Sequence, residues 1–429
     1  MKVVNVAEPA VEAAKLRKSA NTVSDALMAQ ARAIMDDVLA HGDAAVIDYT
    51  AKFDGVKIDS LRVTKQEVKD AYGKATKEQV KALKLMKARL EKSELAVLKR
   101  FGNIRVKSEG VSIERTMQPV ASVGCYIPGG KARYPSTVVM CAVPAKVAGV
   151  KRIVAVSPPM GDGSIDPLTL VAADICGIDE IYKAGGAQGI AALAYGTQSI
   201  NPVSKIVGPG GMFVTAAKIA ASGAVSTDMV AGPTELLIYA DATADPRLVA
   251  VDLVSQAEHS PDTVCGLVTI SEKLAVQVQE QADAIISSSI ARSEIVRKSL
   301  SENGFVAICK DEKACVEFAN EFAPEHLEIM SKKADAFSKK IESAGLVLVG
   351  SDAPSSASDY CLGSNHVLPT LGFGKSRASL SVLDFIKIVN RVKVTKAGLA
   401  KIDGAVREMA TAEGLPNHYE AVRARRKKK

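Results

Sequence analysis

The sequence predicts an α/β protein built on parallel sheets, and three observations carry that expectation. From about Val120 onward, short apolar β-rich runs alternate with helical stretches of roughly 10–15 residues, the pattern of βαβ units whose strands are covered on both faces. Turns bearing Gly and Pro follow several of those runs. The first ~110 residues differ, carrying long helical patterns separated by polar breaks.

In chain order, residues 24–39 and 77–98 repeat apolar side chains at three- and four-residue spacing, which predicts amphipathic helices. The expected strands are 120–127, 152–157, 180–184, 205–207, 235–240, 263–270, 305–309 and 345–349. Between them lie the turns Pro128-Gly-Gly130, Gly185-Gly-Ala-Gln188-Gly189, Gly208-Pro-Gly-Gly211 and Ala231-Gly-Pro233. Parallel sheets bind ligands at the carboxyl ends of their strands, so these turns mark a candidate ligand edge. None of them matches GxGxxG. Gly372-Phe-Gly-Lys-Ser376 fails as a phosphate loop because Pro369 stands where the first glycine belongs.

Composition narrows the class of protein. Hydrophobic residues make up 47% and charged residues 24%, ordinary for a chain that buries a core. Trp is absent and aromatics are 4%, so that core must be aliphatic. The net charge of +7 is concentrated at the end: residues 423–429 hold six cations, and with these set aside 49 basic residues face 48 acidic ones. A near-neutral body with a solvated basic tail argues against a nucleic-acid partner. No apolar run approaches the ~20 residues of a membrane span, and the N-terminus lacks a signal-peptide pattern. Seven cysteines without a CxxC read as reduced thiols, which predicts a cytoplasmic protein.

Candidate chemistry gathers around histidine. There are five, and four fall at or after position 259 beside other proton- or metal-binding groups. His41, in His-Gly-Asp, reads as loop punctuation. Asp245-Pro246 opens a helix expected to end near Ser260-Pro261, so Gln256 and His259 would share a face of its last turn, either as a polar cap or as two ligands to one ion. Glu325-His326, at an element boundary, is either a surface ion pair or an acid–base pair in which the carboxylate holds a water and the imidazole takes a proton. Asp359, with His366 seven residues on, and Glu413 with His418 add carboxylates and imidazoles; such a donor set would suit Zn2+ with positions left for substrate. Cys125, Cys141, Cys176 and Cys361 could be nucleophiles, but free buried cysteine is the ordinary reading.

Taken in order, these segments closely resemble the histidinol dehydrogenase family. The resemblance runs through 119–130, Gly185-Gly-Ala-Gln188, Gly208-Pro-Gly210, Ala231-Gly-Pro-Thr-Glu235, 255–262, 323–327, 365–369 and Glu413-Gly-Leu-Pro-Asn-His418. It implies a homodimeric α/β enzyme with two Rossmann-like domains and small helical N- and C-terminal segments used in dimerisation. The implied division is a segment at 1–20, a discontinuous domain of 21–124 with 234–380, an inserted NAD-side domain at 125–233, and a C-terminal helical segment at 381–429. The implied reaction oxidises L-histidinol through the aldehyde to L-histidine, using NAD+ twice and one Zn2+ per subunit.

Residue by residue, the resemblance gives Gln256, His259, Asp359 and His418 as zinc ligands, the last supplied across the dimer. It gives Glu325 as activator of water and His326 as general base. Thr234, His366 and Glu413 would contact substrate together with His326 and the metal ligands, while Tyr126, Gln188 and Gly211 occupy NAD+ positions. Two residues depart from the pattern: Gly211 where Asn is common, which removes a cofactor hydrogen bond, and Thr234 where Ser is common, which keeps the hydroxyl. The same scaffold acting on another small amino or hydroxy alcohol is the alternative, and His366 with Glu413 favours the imidazole-amine substrate. A zinc hydrolase would need no dinucleotide, and a noncatalytic zinc-binding module would leave Glu325-His326 without a purpose.

Overall fold

Continuous apolar runs form buried parallel strands, because a strand covered on both faces has no polar side to present. The computed structural model describes residues 1–18, 23–129, 133–229, 232–288 and 290–426; Gly130, Ala231 and the last three lysines of the tail lie outside them. Among these residues a six-stranded sheet runs in the order Lys2–Val6, Phe305–Cys309, Val264–Thr269, Glu235–Ala240, His326–Met330, Leu346–Val349, with every pairing parallel. A second parallel sheet runs Glu180–Lys183, Arg152–Ser157, Ser122–Tyr126, Lys205–Val207, Ser226–Thr227. A third, antiparallel, joins Ile386–Val394, Val111–Pro119 and Ile104–Ser108.

Helices cover both faces of each parallel sheet. Pro246–Ala257, Glu272–Ser287 and Ser293–Glu302 supply Leu253, Val278 and Val296 to one face of the first sheet. Pro9–Lys18 and Glu312–Phe322 cover the other, where Phe305, Phe318 and Phe322 cluster. On the second sheet Pro135–Ala148 and Lys77–Leu98 pack one side, and Asp25–His41, Gly186–Tyr195 and Met212–Ala221 the other. The helix at 77–98 starts where its signals put it: the Thr76 hydroxyl accepts from Gln79 N while the Gln79 side chain accepts from Thr76 N.

Two features differ from the division expected of the sequence. Lys2–Val6 is the edge strand of the first sheet rather than part of a separate helical segment. The helices between residues 25 and 98 belong with the second sheet, because Ile34, Met35 and Val38 on one, and Leu83, Met86 and Leu90 on another, find their apolar partners there.

The C-terminal helices Lys396–Ala412 and Pro416–Arg426 form an arm beyond the antiparallel sheet, tied at its root by Thr395 N donating to the Gly110 carbonyl at 2.9 Å. No residue of Pro416–Arg426 is buried. No helix among the described residues is long and apolar enough to cross a membrane.

The turn after Lys205–Val207 is held without room to spare. Gly208 has φ +117°, and a Cβ there would sit 2.2 Å from the Tyr126 carbonyl oxygen. Its N–H donates to Asp228 Oδ2 at 2.8 Å, its carbonyl accepts from Lys218 Nζ at 3.0 Å, and the buried Lys218 and Asp228 pair with each other. At Gly211 a Cβ would meet nothing within 4 Å. Gly208→Ala should therefore cost about 1–3 kcal/mol in denaturant unfolding, whereas Gly211→Asn should change stability by only about a few tenths of a kcal/mol; equal losses at both positions would contradict this account of the turn.

Candidate active site

Two adjacent parallel strands, Glu235–Ala240 and His326–Met330, begin side by side, with Leu236 opposite His326. The first N–H groups of such strands have no ladder partner at the sheet edge, and here two carboxylates supply it. Glu235 N donates to Glu325 Oε2 at 2.8 Å, Glu325 N donates to Glu235 Oε2 at 3.2 Å, and Leu371 N donates to Glu235 Oε1 at 2.9 Å. Thr234 adds a hydroxyl hydrogen bond to Glu325. Both glutamates are buried, at 1% and 6% exposure.

His326 follows directly and is also buried. Its Nδ1 lies 3.4 Å from the Glu235 carbonyl oxygen and 3.7 Å from Glu325 Oε2. Its Nε2 lies 3.6 Å from Asp359 Oδ1, too far for a hydrogen bond, and is buried without a partner. Burial pushes Glu325 up to about 7, with His326 opposing, and pushes Glu235 up to about 8. For His326 burial opposes the charged ring, but Glu325 and Asp359 outweigh it and raise the group to about 9.

Asp359 caps the short helix Ser355–Ser358, and its carbonyl oxygen lies 2.8 Å from His366 Nδ1. The other His366 nitrogen lies 3.4 Å from Thr137 Oγ1. His259 sits two residues past the end of Pro246–Ala257, in a turn where its N–H donates to the Gln256 carbonyl at 3.1 Å. The expected helix thus stops earlier, and Gln256 and His259 do not share its last turn. Ser355 Oγ donates to Gln256 Oε1 at 3.3 Å, which brings Gln256 to the same place as Asp359. Burial lowers the pKa of both His259 and His366, and the charges of Asp359 and His326 reach each of them. One polar cluster therefore contains Thr234, Gln256, His259, Glu325, His326, Asp359 and His366.

The cluster lies at the amino edge of the first sheet, where Thr137 and Tyr134 from the carboxyl edge of the second face it; the rings of Tyr134 and His259 are 6.3 Å apart. Tyr126 ends its strand buried, and its hydroxyl accepts from Gly186 N at 3.1 Å. Gln188, 1% exposed, lines a cavity of about 250 Å³ with Ile34, Phe53, Asp54, Gly186, Ala187 and Phe213. Gly211 opens the neighbouring helix Met212–Ala221. Glu413 and His418 are not brought to the cluster within one chain: both are exposed on the C-terminal arm. Cys361 is half-buried and the other six thiols are buried; all seven are free.

Sequence reasoning passed over Glu235. The available signal was a carboxylate at the head of an otherwise apolar run, Glu235-Leu-Leu-Ile-Tyr-Ala, where burial demands a partner. Thr137 and Ser355 carried no comparable signal.

Paired parallel sheets with a buried carboxyl–imidazole cluster between their facing edges define an α/β protein of the enzyme class. The family model described as histidinol dehydrogenase matches residues 17–426. Histidinol dehydrogenases from Methanococcus maripaludis and Methanopyrus kandleri are 44% and 41% identical, over 91% and 96% of this chain and 92% and 96% of theirs. The crystal structure of histidinol dehydrogenase from Elizabethkingia anophelis superposes with a TM-score of 0.92 at 36% identity, covering 99% of this chain and 98% of that one. The chain belongs to the histidinol dehydrogenase family, a family of oxidoreductases.

Because the folded-state pKa of Glu235 lies above its unfolded value, the stability it contributes is complete below about pH 4.5 and is lost as pH rises through about 8. Glu235→Gln removes that slope, so its unfolding midpoint should vary less than the wild type's between pH 5 and 8. Glu235→Ala strands two N–H groups and should cost about 1–3 kcal/mol for each. Parallel pH curves for wild type and Glu235→Gln would contradict the assignment.

Proposed function

We propose that the protein oxidises L-histidinol through L-histidinaldehyde to L-histidine, as an NAD-dependent zinc enzyme of histidine biosynthesis. The observation that carries the reading is the buried Glu325–His326 pair, with Asp359, His259 and His366 around it, in a chain of this family.

The donor set fits Zn2+. Gln256 offers an amide oxygen, Asp359 a carboxylate, and His259 an imidazole that burial keeps neutral. Among the described residues no three His, Cys, Asp or Glu side chains form a cation cluster by themselves. A homodimer supplies the fourth ligand in this reading: His418 of one protomer would complete the site of its partner, with Glu413 contacting the substrate's amine. Exposed apolar side chains on the antiparallel sheet, among them Ile388 at 56% and Val392 at 62%, support burial of this region against a second copy. The dinucleotide has a fitting place beside Tyr126, where Gln188 Oε1 is buried without a partner and the space above Gly211 is open.

When bound, Zn2+ would orient the imidazole and amine of the substrate, and NAD+ would accept hydride at each oxidation. His326 would take the hydroxyl proton through its buried Nε2 as hydride departs; this needs the neutral ring, and a metal engaging the Asp359 carboxylate would withdraw one of the two charges that hold the group at about 9. Glu325 is fixed by Glu235 N and Thr234, and with its pKa near 7 it suits the task of holding a water and taking its proton as oxygen adds to the aldehyde. His366, tied to the Asp359 carbonyl, and Thr234 line the substrate's side of the cluster. The free thiols support a cytoplasmic setting.

Purified protein should release two NADH per L-histidinol, lose this activity on chelation and regain it with Zn2+. Absence of NADH from zinc-loaded protein would shift the reading to another amino or hydroxy alcohol. His326→Asn should retain zinc and fold while slowing turnover by about 10²–10⁴-fold; near-normal turnover would remove it from the role of base. His418→Ala should lose bound metal, and metal analysis showing an unchanged zinc content would refute the shared ligand set.

A further inference from the structure

A carboxyl group sits in the middle of a strand whose neighbours are apolar. Glu328 is the central residue of His326–Met330, it is buried, and its ladder partners are Ile238 and Leu348. An apolar side chain there would avoid the desolvation that a buried carboxyl suffers. Glu328 belongs to neither the acid–base pair nor the zinc donor set, yet it projects from the same face of its strand as His326.

Its two oxygens meet different partners. Oε1 accepts from Ser355 N at 2.5 Å. Oε2 is buried and receives no N–H or hydroxyl. The Asp252 carboxyl is hydrogen-bonded to Glu328, and two carboxyls can join in this way only when one of them carries a proton. Burial, and then the charge of Asp252, raises Glu328 to about 8, so the proton resides on Glu328 and Asp252 accepts its hydrogen bond. The pair holds the Glu328 carboxyl still and leaves one oxygen for Ser355.

Ser355 passes that hold onward. Its hydroxyl donates to Gln256 Oε1 at 3.3 Å, and its carbonyl accepts from Asp359 N at 3.1 Å. The N–H, hydroxyl and carbonyl of one buried serine therefore join Glu328 to both Gln256 and Asp359. Asp252 and Gln256 stand four residues apart on Pro246–Ala257, one above the other on the same face. A primary amide can turn either its oxygen or its NH2 towards a cation, and only the oxygen is a ligand. The Ser355 hydrogen bond fixes that choice and leaves the second lone pair of Oε1 for a metal.

We propose that Glu328 is a positioning residue for the metal: held by Asp252, it anchors Ser355, which sets the Gln256 amide oxygen and the Asp359 carboxylate as ligands. This rests on the reading of those two residues as zinc ligands and adds the group that holds them in place.

The test measures zinc affinity of the metal-stripped full chain, by competition with a chromogenic chelator, in wild type, Ser355→Ala, Glu328→Leu and Glu328→Gln. Leucine fills the space but leaves Ser355 N without an acceptor; glutamine keeps an oxygen for Ser355 N and an N–H for Asp252. Ser355→Ala and Glu328→Leu should bind zinc about 10–100-fold more weakly, while Glu328→Gln should retain an affinity close to the wild type's. Melting temperatures of the metal-free proteins should not follow that order, since Ser355→Ala loses a single hydrogen bond and should melt close to wild type. A purely structural Glu328 would lower the melting temperature of Glu328→Leu and leave every zinc affinity equal. If wild type binds zinc and Glu328→Leu matches it, the positioning assignment falls and the zinc reading stands. Should Glu328→Leu fail to fold, Ser355→Ala decides: unchanged affinity there breaks the link from Glu328 to Gln256 and overturns the proposal. If wild type binds no zinc, both fall together.

Discussion

The site depends on one constraint, the exchange between Glu235 and Glu325. Parallel strands that begin together leave N–H groups beyond the end of the ladder, and in a buried edge these need acceptors. Each glutamate here accepts the other's N–H, and the Leu371 N–H closes the set. The arrangement fixes the Glu325 carboxyl relative to the His326 ring with no reliance on long, mobile side chains. It also brings two carboxyls into one poorly solvated place, which keeps both reluctant to ionise, while the charges of Glu325, when ionised, and Asp359 favour the protonated His326 ring.

Around that exchange the two parallel sheets meet with unlike edges. The second sheet obeys the usual rule, with its glycine turns at the carboxyl ends of strands and the cavity beside them. The first sheet offers its amino edge, so Glu325 and His326 precede or open their strand instead of following it. A reaction centre between a carboxyl edge and an amino edge can take its cofactor from one sheet and its acid–base groups from the other. Thr137 and His366 join across the boundary, which gives the two halves a shared polar contact. The short helix Ser355–Ser358 serves the same joint: Glu328 accepts from Ser355 N at its start, Ser355 reaches Gln256, and Asp359 ends it.

The C-terminal arm has a different physical character from the rest. Its last helix buries nothing within the chain, while the antiparallel sheet at its root leaves apolar residues in water. A helix with no buried face gains little from its own propensity at this length, so its stability is expected to come from a second copy in the proposed dimer.

Much of this was legible in the amino-acid order. Eight strands of the two parallel sheets follow from local apolar runs, though Lys2–Val6, Ser226–Thr227 and His326–Met330 do not, and the helices at 25–41 and 77–98 follow from periodicity and capping, because burial on two faces and N-terminal capping are short-range demands. Convergence of Gln256, His259, Asp359 and His366 was also foreshadowed, since so few histidines placed beside carboxylates and amides leave few alternatives. Tertiary structure alone decided that Lys2–Val6 closes the first sheet, that the early helices cover the second, and that Glu235 holds Glu325 across a strand gap of ninety residues. Those outcomes turn on which apolar face meets which and on which buried N–H lacks an acceptor. Both are properties of surfaces brought together over long separations, and no window of sequence contains them.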